Sequence, residues 1–361
     1  MYLIVTRSFP PEVGGMQNLM WGLCNSLAKH HMIKVFADQH EKSKEYDDNV
    51  SFTIERIGGI KLLRKHRKAH LVNEFIKKNK NIKGIIADHW KSLELIKTNK
   101  KKICLIHSKE INHEKGTFTN KRFLKIFNNV DHIIANSQYT KELAKISGIK
   151  HDKIVVINPG IEPIEDLNQT YLNQAKNLLK NYSPRLITVS RFDKRKNHEK
   201  IIMSLRNLKE VYPNIIYICI GYGEEEENIK SLVKQLNLDK NVLFFKDIHQ
   251  DFKNVLISQS NLFVMPSIKY KKSVEGFGIV FVEAAQYGVP SIGGKDGGAA
   301  DAIIHDKTGI ICDGNNLEDI YSSITKLLEN KKYIEFGKEA KISAEKFQWD
   351  KIIEEYNKIL C

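Results

Sequence analysis

The chain has 361 residues, of which 42% are hydrophobic and 28% charged; this is room for two ordinary domains and the composition of a globular protein. No apolar run approaches the roughly 18 residues a bilayer-spanning helix needs. The five cysteines, Cys24, Cys104, Cys219, Cys312 and Cys361, are scattered without CxxC spacing, which argues against a disulfide framework or a zinc site and for reduced thiols in a cytoplasmic protein. The formal net charge of +14 draws phosphates, whether of nucleic acid, anionic lipid or a diphosphate substrate, though a Lys- and Asn-rich composition accounts for it equally well.

MYLIVTRSFPP at the start is too short and too polar for a signal peptide and reads as a first strand followed by a turn. Strands are then expected at 2–7, 32–38, 82–88, 102–107, 131–136 and 153–158, with helices between them at 16–29, 70–79, 120–128 and 138–146. Continuous apolar strands that alternate with helices predict a parallel sheet covered on both faces. After NPGIEPIEDLNQ the pattern restarts, with strands at 185–191, 215–221, 242–247, 262–267, 289–294 and 309–312. The chain is therefore expected to be α/β, with two doubly wound Rossmann-like domains, 1–165 and 166–345, and a final helix over 346–361. Ligands of such sheets sit beyond the carboxyl ends of the strands, so function is sought in the residues that follow each strand.

The first strand runs into RSFPPEVGGMQ, where Gly14-Gly15 lets the backbone approach a ligand just before a helix starts. The spacing is not GxGxxG, and a Gly-Gly helix entry is as readily a purely structural feature. His107 follows the fourth strand in IHSKE and offers a ring hydrogen bond, or is simply a tolerated polar residue. In the second half, SRFDKRKN places Arg191 and Lys196 at one strand end, where two cations suit a diphosphate; a solvated charge run is the plainer alternative. In SVEGFGIVFVEAA, a helix is expected from Ile279 to Tyr287, ended by Gly288, with free N–H groups at its start. Glu275 precedes that helix and Glu283 lies in its first turns. Carboxylates so close to an anion site fit hydrogen bonding to sugar hydroxyls, one sugar on either side of a diphosphate; a surface glutamate and a helix-dipole partner fit equally.

Taken in order, FPPEVGGMQ, HSKE (107–110), IIANSQYTKE (133–142), VINPGIE (156–162), SRFDKRKN, IGYGEEEE (220–227), the Glu-x7-Glu pair in EGFGIVFVE and GVPSIGGKDGGAAD (288–301) resemble the retaining glycosyltransferases of family 4, which have the GT-B fold. The resemblance covers nearly the whole chain. It implies two domains facing across a cleft, with the 346–361 segment crossing back onto the first, and closure around the donor. It further implies that Gly15 contacts the donor diphosphate and transferred sugar, that His107 lies near that sugar, and that Arg191 and Lys196 grip the diphosphate. Glu275 would hold hydroxyls of the transferred hexose and Glu283 the ribose. The backbone of Phe277, Gly278, Ile279 and Val280 would cap the phosphates, and Ile248 would border the base. Two departures stand out: Ser108 follows the histidine where the family often has Gly, and Ala300-Asp301 replaces a frequent Pro-Glu.

The implied reaction is hexosyl transfer with retention from a GDP- or UDP-sugar to a hydroxyl of a cell-envelope glycan or lipid-linked acceptor. It needs no metal or other cofactor, since two cations and a helix N-terminus meet the charge that grows on the leaving diphosphate. The first loop resembles that of mannosyltransferases acting on lipids, which puts GDP-mannose first and UDP-sugars close behind. Residues 60–83 hold nine Lys/Arg and one Glu. Ile60, Leu63, Leu71 and Phe75 approximate one helical face, interrupted by Arg67, so contact with an anionic inner leaflet of the plasma membrane is one expectation and a solvated charge run the other. A sugar-nucleotide epimerase on the same fold is a rival reading. So is a basic nucleic-acid-binding protein, but the chain lacks the interleaved aromatics or reading module of that class, so nucleic acid is not an expected partner.

Overall fold

The computed structural model describes residues 1–12 and 14–360, the side chains of Glu45 and His151 excepted, so Val13 of the first loop and Cys361 lie outside the described residues. The chain divides into two compact units, residues 1–162 with 347–361, and residues 163–346.

The first unit is built on seven parallel strands: β1 (Tyr2–Val5), β2 (Ile33–Asp38), β3 (Thr53–Ile57), β4 (Gly84–Ala87), β5 (Lys101–Ile106), β6 (His132–Ala135) and β7 (Ile154–Val156). They lie in the order β3-β2-β1-β4-β5-β6-β7. The central strands YLIV and GIIA are buried throughout, as strands covered on both faces by helices must be. Six of the seven coincide with expected strands; β3 was not foreseen. Its sequence TIERI carries two charges, and it lies at the sheet edge, where Glu55 pairs with Lys34 at 2.8 Å and Arg56 with Asp47 at 2.7 Å. Charged residues on an edge strand discourage pairing with other chains and at the same time erase the apolar signature.

The helix expected over 70–79 is longer and begins nine positions earlier, spanning Lys61–Lys78. Charge, as much as apolar burial, fixes its first half. Lys68 is buried, with its ammonium on Thr6 O and, at 2.5 Å, on Asp38 Oδ1. Arg67 folds back onto the carbonyls of Gly58 and Ile60 and so leaves the outer face. Ile60, Leu62 and Leu63 at the helix start are exposed, with Leu62 at 85%.

The closing helix, Trp349–Leu360, belongs to the first unit. Trp349 is buried in a slot formed by two glycines: a Cβ on Gly22 or on Gly160 would stand 2.0 or 2.4 Å from the indole. At the other end Tyr2 donates its hydroxyl to Leu360 O at 2.7 Å.

The second unit carries β8 (Arg185–Val189), β9 (Ile216–Ile220), β10 (Val242–Phe245), β11 (Leu262–Met265), β12 (Ser291–Gly294) and β13 (Gly309–Cys312), all parallel, in the order β10-β9-β8-β11-β12-β13. All six coincide with expected strands. The order turns at β8 and β11, and ligands of such sheets bind beyond the carboxyl ends of the strands at that turning point, where neighbouring loops diverge and leave a crevice. Cys24, Cys104, Cys219 and Cys312 are free and buried, and burial pushes each thiol up from its ordinary pKa.

Candidate active site

In the second unit, β8 ends at Val189 and the chain makes a short turn through Lys194–Lys196, capped by Asp193, whose Oδ1 accepts from Lys196 N at 3.2 Å. The loop turns Arg195 and Lys196 inward; each is only 8% exposed. Both meet the carboxylate of Glu275, which follows β11. Arg195 Nη1 donates to Glu275 Oε2 at 2.6 Å and Lys196 Nζ to the same oxygen at 2.5 Å. The second oxygen, Oε1, accepts nothing from the described residues. Burial alone would raise the Glu275 pKa, but the charges of Lys196 and Arg195 outweigh it and hold the acid down to about 2. Burial pushes the Lys196 ammonium below its ordinary value, against the pull of Glu275. Glu275 is thus neither a surface residue nor an idle acid. Its carbonyl accepts from Gly298 N at 2.9 Å, which ties its loop to the segment after β12.

Three residues on, Gly278 takes φ +84° and caps the helix Ile279–Gln286. Only glycine serves there, because a Cβ would lie 2.5 Å from the Phe281 ring. No side chain caps this helix, and the first N–H groups of any helix, here those of Ile279 and Val280, have no intrahelical acceptor. Phe277 is buried beneath this entry. The helix ends at Gln286, close to the expected Tyr287. Glu283 projects from its second turn, half-buried, and accepts from Lys253 Nζ at 3.3 Å. Ile248 is half-buried in the loop between β10 and the helix Gln250–Ser258.

The two expected diphosphate partners, Arg191 and Lys196, stand in different surroundings. Arg191 stays outside, its side chain 71% exposed and 3.3 Å from Asp193, whereas Lys196 is buried and donates to Glu275. Arg195 is the inward-facing arginine, and sequence reasoning passed over it. Within KRKN it reads as solvated charge, and its partner lies 80 residues away. A second omission is the support beneath Arg191. Tyr217 donates its hydroxyl to Thr188 Oγ1 at 2.8 Å and lies 2.8 Å from His198 Nδ1, so it accepts the Nδ1 proton. His198 Nε2 then faces Ser190 Oγ at 3.0 Å without a proton of its own. Burial, reinforced by Lys196, lowers the His198 pKa to about 3 and keeps this chain neutral.

In the first unit, His107 follows β5 and Gly15 opens the helix Gly15–Ala28 after Gly14, again with no capping side chain. Both regions are tied to Asp88, at the end of β4. Asp88 Oδ2 accepts from Thr6 Oγ1, Arg7 N and Ser8 N at 2.9, 2.7 and 3.2 Å, and Oδ1 from Ser92 Oγ at 2.7 Å. Its carbonyl lies 3.1 Å from His107 Nε2. A carbonyl only accepts, so Nε2 carries the proton and Nδ1 is the ring atom left to accept a hydrogen bond. The backbone N–H of His107 donates to Glu110 Oε1 at 2.5 Å. Ser108 has φ +98°, which explains in physical terms why glycine is the usual residue there. Asp88 carried no motif signal in the sequence; its position after an apolar strand was the one available hint.

Comparison with known proteins gives the family and the fold. Residues 13–165 match the model described as Glycosyltransferase Family 4 and residues 171–345 the model described as Glycosyl transferases group 1. The chain belongs to these glycosyltransferases. It is 23% identical over 347 residues, 90% of this chain and 88% of the other, to the GDP-mannose-dependent alpha-(1-6)-phosphatidylinositol monomannoside mannosyltransferase of Mycolicibacterium smegmatis. The monoacylated-substrate counterpart from Corynebacterium glutamicum is 24% identical over 342 residues, 91% of this chain and 88% of that one. Among solved structures, Anabaena Alr3699/HepE in complex with UDP superposes with a TM-score of 0.83 at 18% identity over 99% of each chain. Sucrose-phosphate synthase from Thermosynechococcus elongatus gives 0.80 at 19% identity, over 99% of this chain and 97% of that one. The fold of this glycosyltransferase is GT-B, and it is a hexosyltransferase.

Proposed function

We propose that the protein transfers a hexose, with retention of anomeric configuration, from a nucleotide-diphosphate sugar to a hydroxyl of a cell-envelope glycan or lipid-linked acceptor. The observation that carries this reading is the buried Glu275 carboxylate, held by Arg195 and Lys196 beside the uncapped start of the helix at Ile279. The barrier to such a transfer is charge separation: the C1–O bond to the diphosphate breaks as the ring becomes oxocarbenium-like. Lys196, the Ile279 and Val280 N–H groups and the outward Arg191 supply positive charge where the leaving group becomes negative, and one such preorganised donor is typically worth about 10²–10³ in rate. Glu275 Oε1 holds hydroxyls of the hexose and Glu283 the ribose. Phe277 and Gly278 shape the phosphate cap, Ile248 borders the base, and Gly15 and His107, through Nδ1, meet the transferred sugar. The acceptor oxygen bonds to C1 on the face the diphosphate leaves, and its proton passes to a departing phosphate oxygen. A double displacement of the glycosidase type is disfavoured, because Glu283 is paired with Lys253 and assigned to the ribose.

GDP-mannose is the first donor to test, on the strength of the mannosyltransferase relatives; a UDP-sugar is the second, since HepE was crystallised with UDP. With the leaving charge met by side chains and backbone, transfer is expected to persist in excess chelator. The exposed Ile60, Leu62 and Leu63 with the lysines of the helix Lys61–Lys78 support peripheral binding to an anionic inner leaflet, each cation near the surface contributing about 1 kcal/mol.

Thermal melting with GDP, UDP, ADP and their sugars tests the donor, since ligand at a hundred times its Kd stabilises by about 2.7 kcal/mol. Glu275→Gln is expected to lower transfer by about 10² or more while leaving nucleoside diphosphate binding in place. A protein stabilised by no nucleotide sugar, or a product with inverted configuration, would sink the proposal. Isomerisation of the sugar nucleotide without acceptor would point to an epimerase instead. Sedimentation with vesicles that is indifferent to anionic lipid content would remove the membrane component.

A further inference from the structure

Two cations on one carboxylate oxygen is more positive charge than Glu275 needs. Arg195 and Lys196 both end on Oε2 while Oε1 stays open. They differ in how firmly they are held. The Arg195 guanidinium spans two carboxylates, with Nη2 also 3.6 Å from Asp193 Oδ2. Lys196 is a single point charge on a flexible stem whose other contact is the Met265 sulfur at 3.3 Å. A dianionic diphosphate arriving at the start of the helix Ile279–Gln286 competes with Glu275 for that ammonium. If Lys196 were the carboxylate's sole partner, donor binding would leave a buried acid unpaired, and it would take up a proton.

We propose that Arg195 is a positioning residue for the transfer: it keeps Glu275 ionised and turned with Oε1 toward the sugar while Lys196 is drawn to the donor diphosphate. This deepens the function proposed above and rests on it. The ion pair Glu275–Lys196 is then the resting arrangement and Glu275–Arg195 the one that persists with donor bound. The two cations that bear most on Glu275, Lys196 and Arg195, come from the loop after β8, with Asp193 behind Arg195. On the helix side, Glu283 is occupied by Lys253. On the loop after β12, Asp296 accepts from Lys269 N at 3.1 Å and from Asn315 Nδ2 at 3.4 Å.

The test compares wild type with Arg195→Met, Arg195→Lys and Glu275→Gln. The proton taken up on binding GDP or UDP is measured calorimetrically near pH 6 in buffers of different ionisation enthalpy. Arg195→Met is expected to take up about one proton more than wild type, as Glu275 protonates, and Arg195→Lys to restore the wild-type value. In turnover, the acid limb of the kcat profile is expected to move up by about one pH unit or more in Arg195→Met, a loss of roughly tenfold or more at the acidic end that fades toward pH 8, with donor KM changing less. Unchanged proton uptake with an activity loss equal at every pH would show that Arg195 only supports the fold, and would overturn the proposal while leaving the function standing. A wild type that binds neither nucleotide would overturn both. If Arg195→Met folds poorly, Arg195→Gln made in wild type and in Glu275→Gln decides the matter. The effect on kcat is expected to vanish when Glu275→Gln is already present, and an equal effect in both backgrounds would refute the coupling.

Discussion

Replacing Ser108 by glycine should make the protein more stable, although glycine substitutions usually do the opposite. Ser108 sits directly after His107 with φ +98°, is 1% exposed, and its hydroxyl has no hydrogen-bond partner among the described residues. A side chain forced into the left-handed region costs about 1–2 kcal/mol. A buried hydroxyl without a partner costs about 1–3 kcal/mol more. Against these gains stands the extra freedom of glycine in the unfolded chain, about 0.5–1 kcal/mol. The balance favours Ser108→Gly by roughly 1–4.5 kcal/mol, and for a unit of this size each kcal/mol raises the melting midpoint by about 2–4 °C. The assay is unusually clean, because Trp21, Trp90 and Trp349 are the chain's three tryptophans and all belong to the first unit, so indole fluorescence follows the unfolding of the unit that holds Ser108. Ser108→Ala separates the two contributions: it removes the hydroxyl but keeps the strained φ, and is expected to recover only part of the gain. A Ser108→Gly midpoint at or below wild type would refute the reasoning. So would a Ser108→Ala variant more stable than Ser108→Gly, which would mean that the backbone strain is smaller than the freedom glycine adds to the unfolded chain.

Trp349→Ala empties the slot between Gly22 and Gly160 and is expected to cost roughly 3–5 kcal/mol, seen as a lower urea midpoint of the first unit by the fluorescence of Trp21 and Trp90. Asp88→Ala leaves the Arg7 and Ser8 N–H groups, both bonded to Oδ2 in the native chain, without an acceptor, at about 1–3 kcal/mol for each that stays buried; the same urea assay reads it. Stability should also fall as pH drops from 6.5. Burial lowers the pKa of His89 to about 2 and that of His198 to about 3, so between those values and 6.5 the unfolded chain binds more protons than the folded one, and acid favours unfolding. Circular dichroism melts between pH 7 and 4 check this, and a midpoint that does not move over that range would contradict the assignment of both histidines as neutral.

What the sequence made legible follows the kind of force that acts at each place. Strands such as YLIV and GIIA are buried on both faces and write an uninterrupted apolar run, so they could be read one by one, and with them the doubly wound order that puts function at the strand ends. The edge strand TIERI is stabilised by pairing to β2 and by ion pairs of Glu55 and Arg56, and the first half of the helix Lys61–Lys78 by the buried ammonium of Lys68 on Asp38. Neither leaves an apolar period to detect. The site divides in the same way. Glu275, Glu283 and the glycine-led helix start are local in sequence, so their spacing announces them. Arg195 and Asp88 act through contacts 80 residues or more away in the chain, and nothing adjacent to either marks it as different from an ordinary charged residue. Ser108 lies between these cases. Its departure from glycine was visible as a letter, but the cost of that letter depends on φ at a single position, which only the folded backbone defines. Short-range pattern therefore located the candidate loops at the strand ends, while Arg195 and Asp88 are held by long-range ion pairs and hydrogen bonds. The Arg195–Glu275 pair is where substitution should alter the pH dependence of transfer without altering the fold.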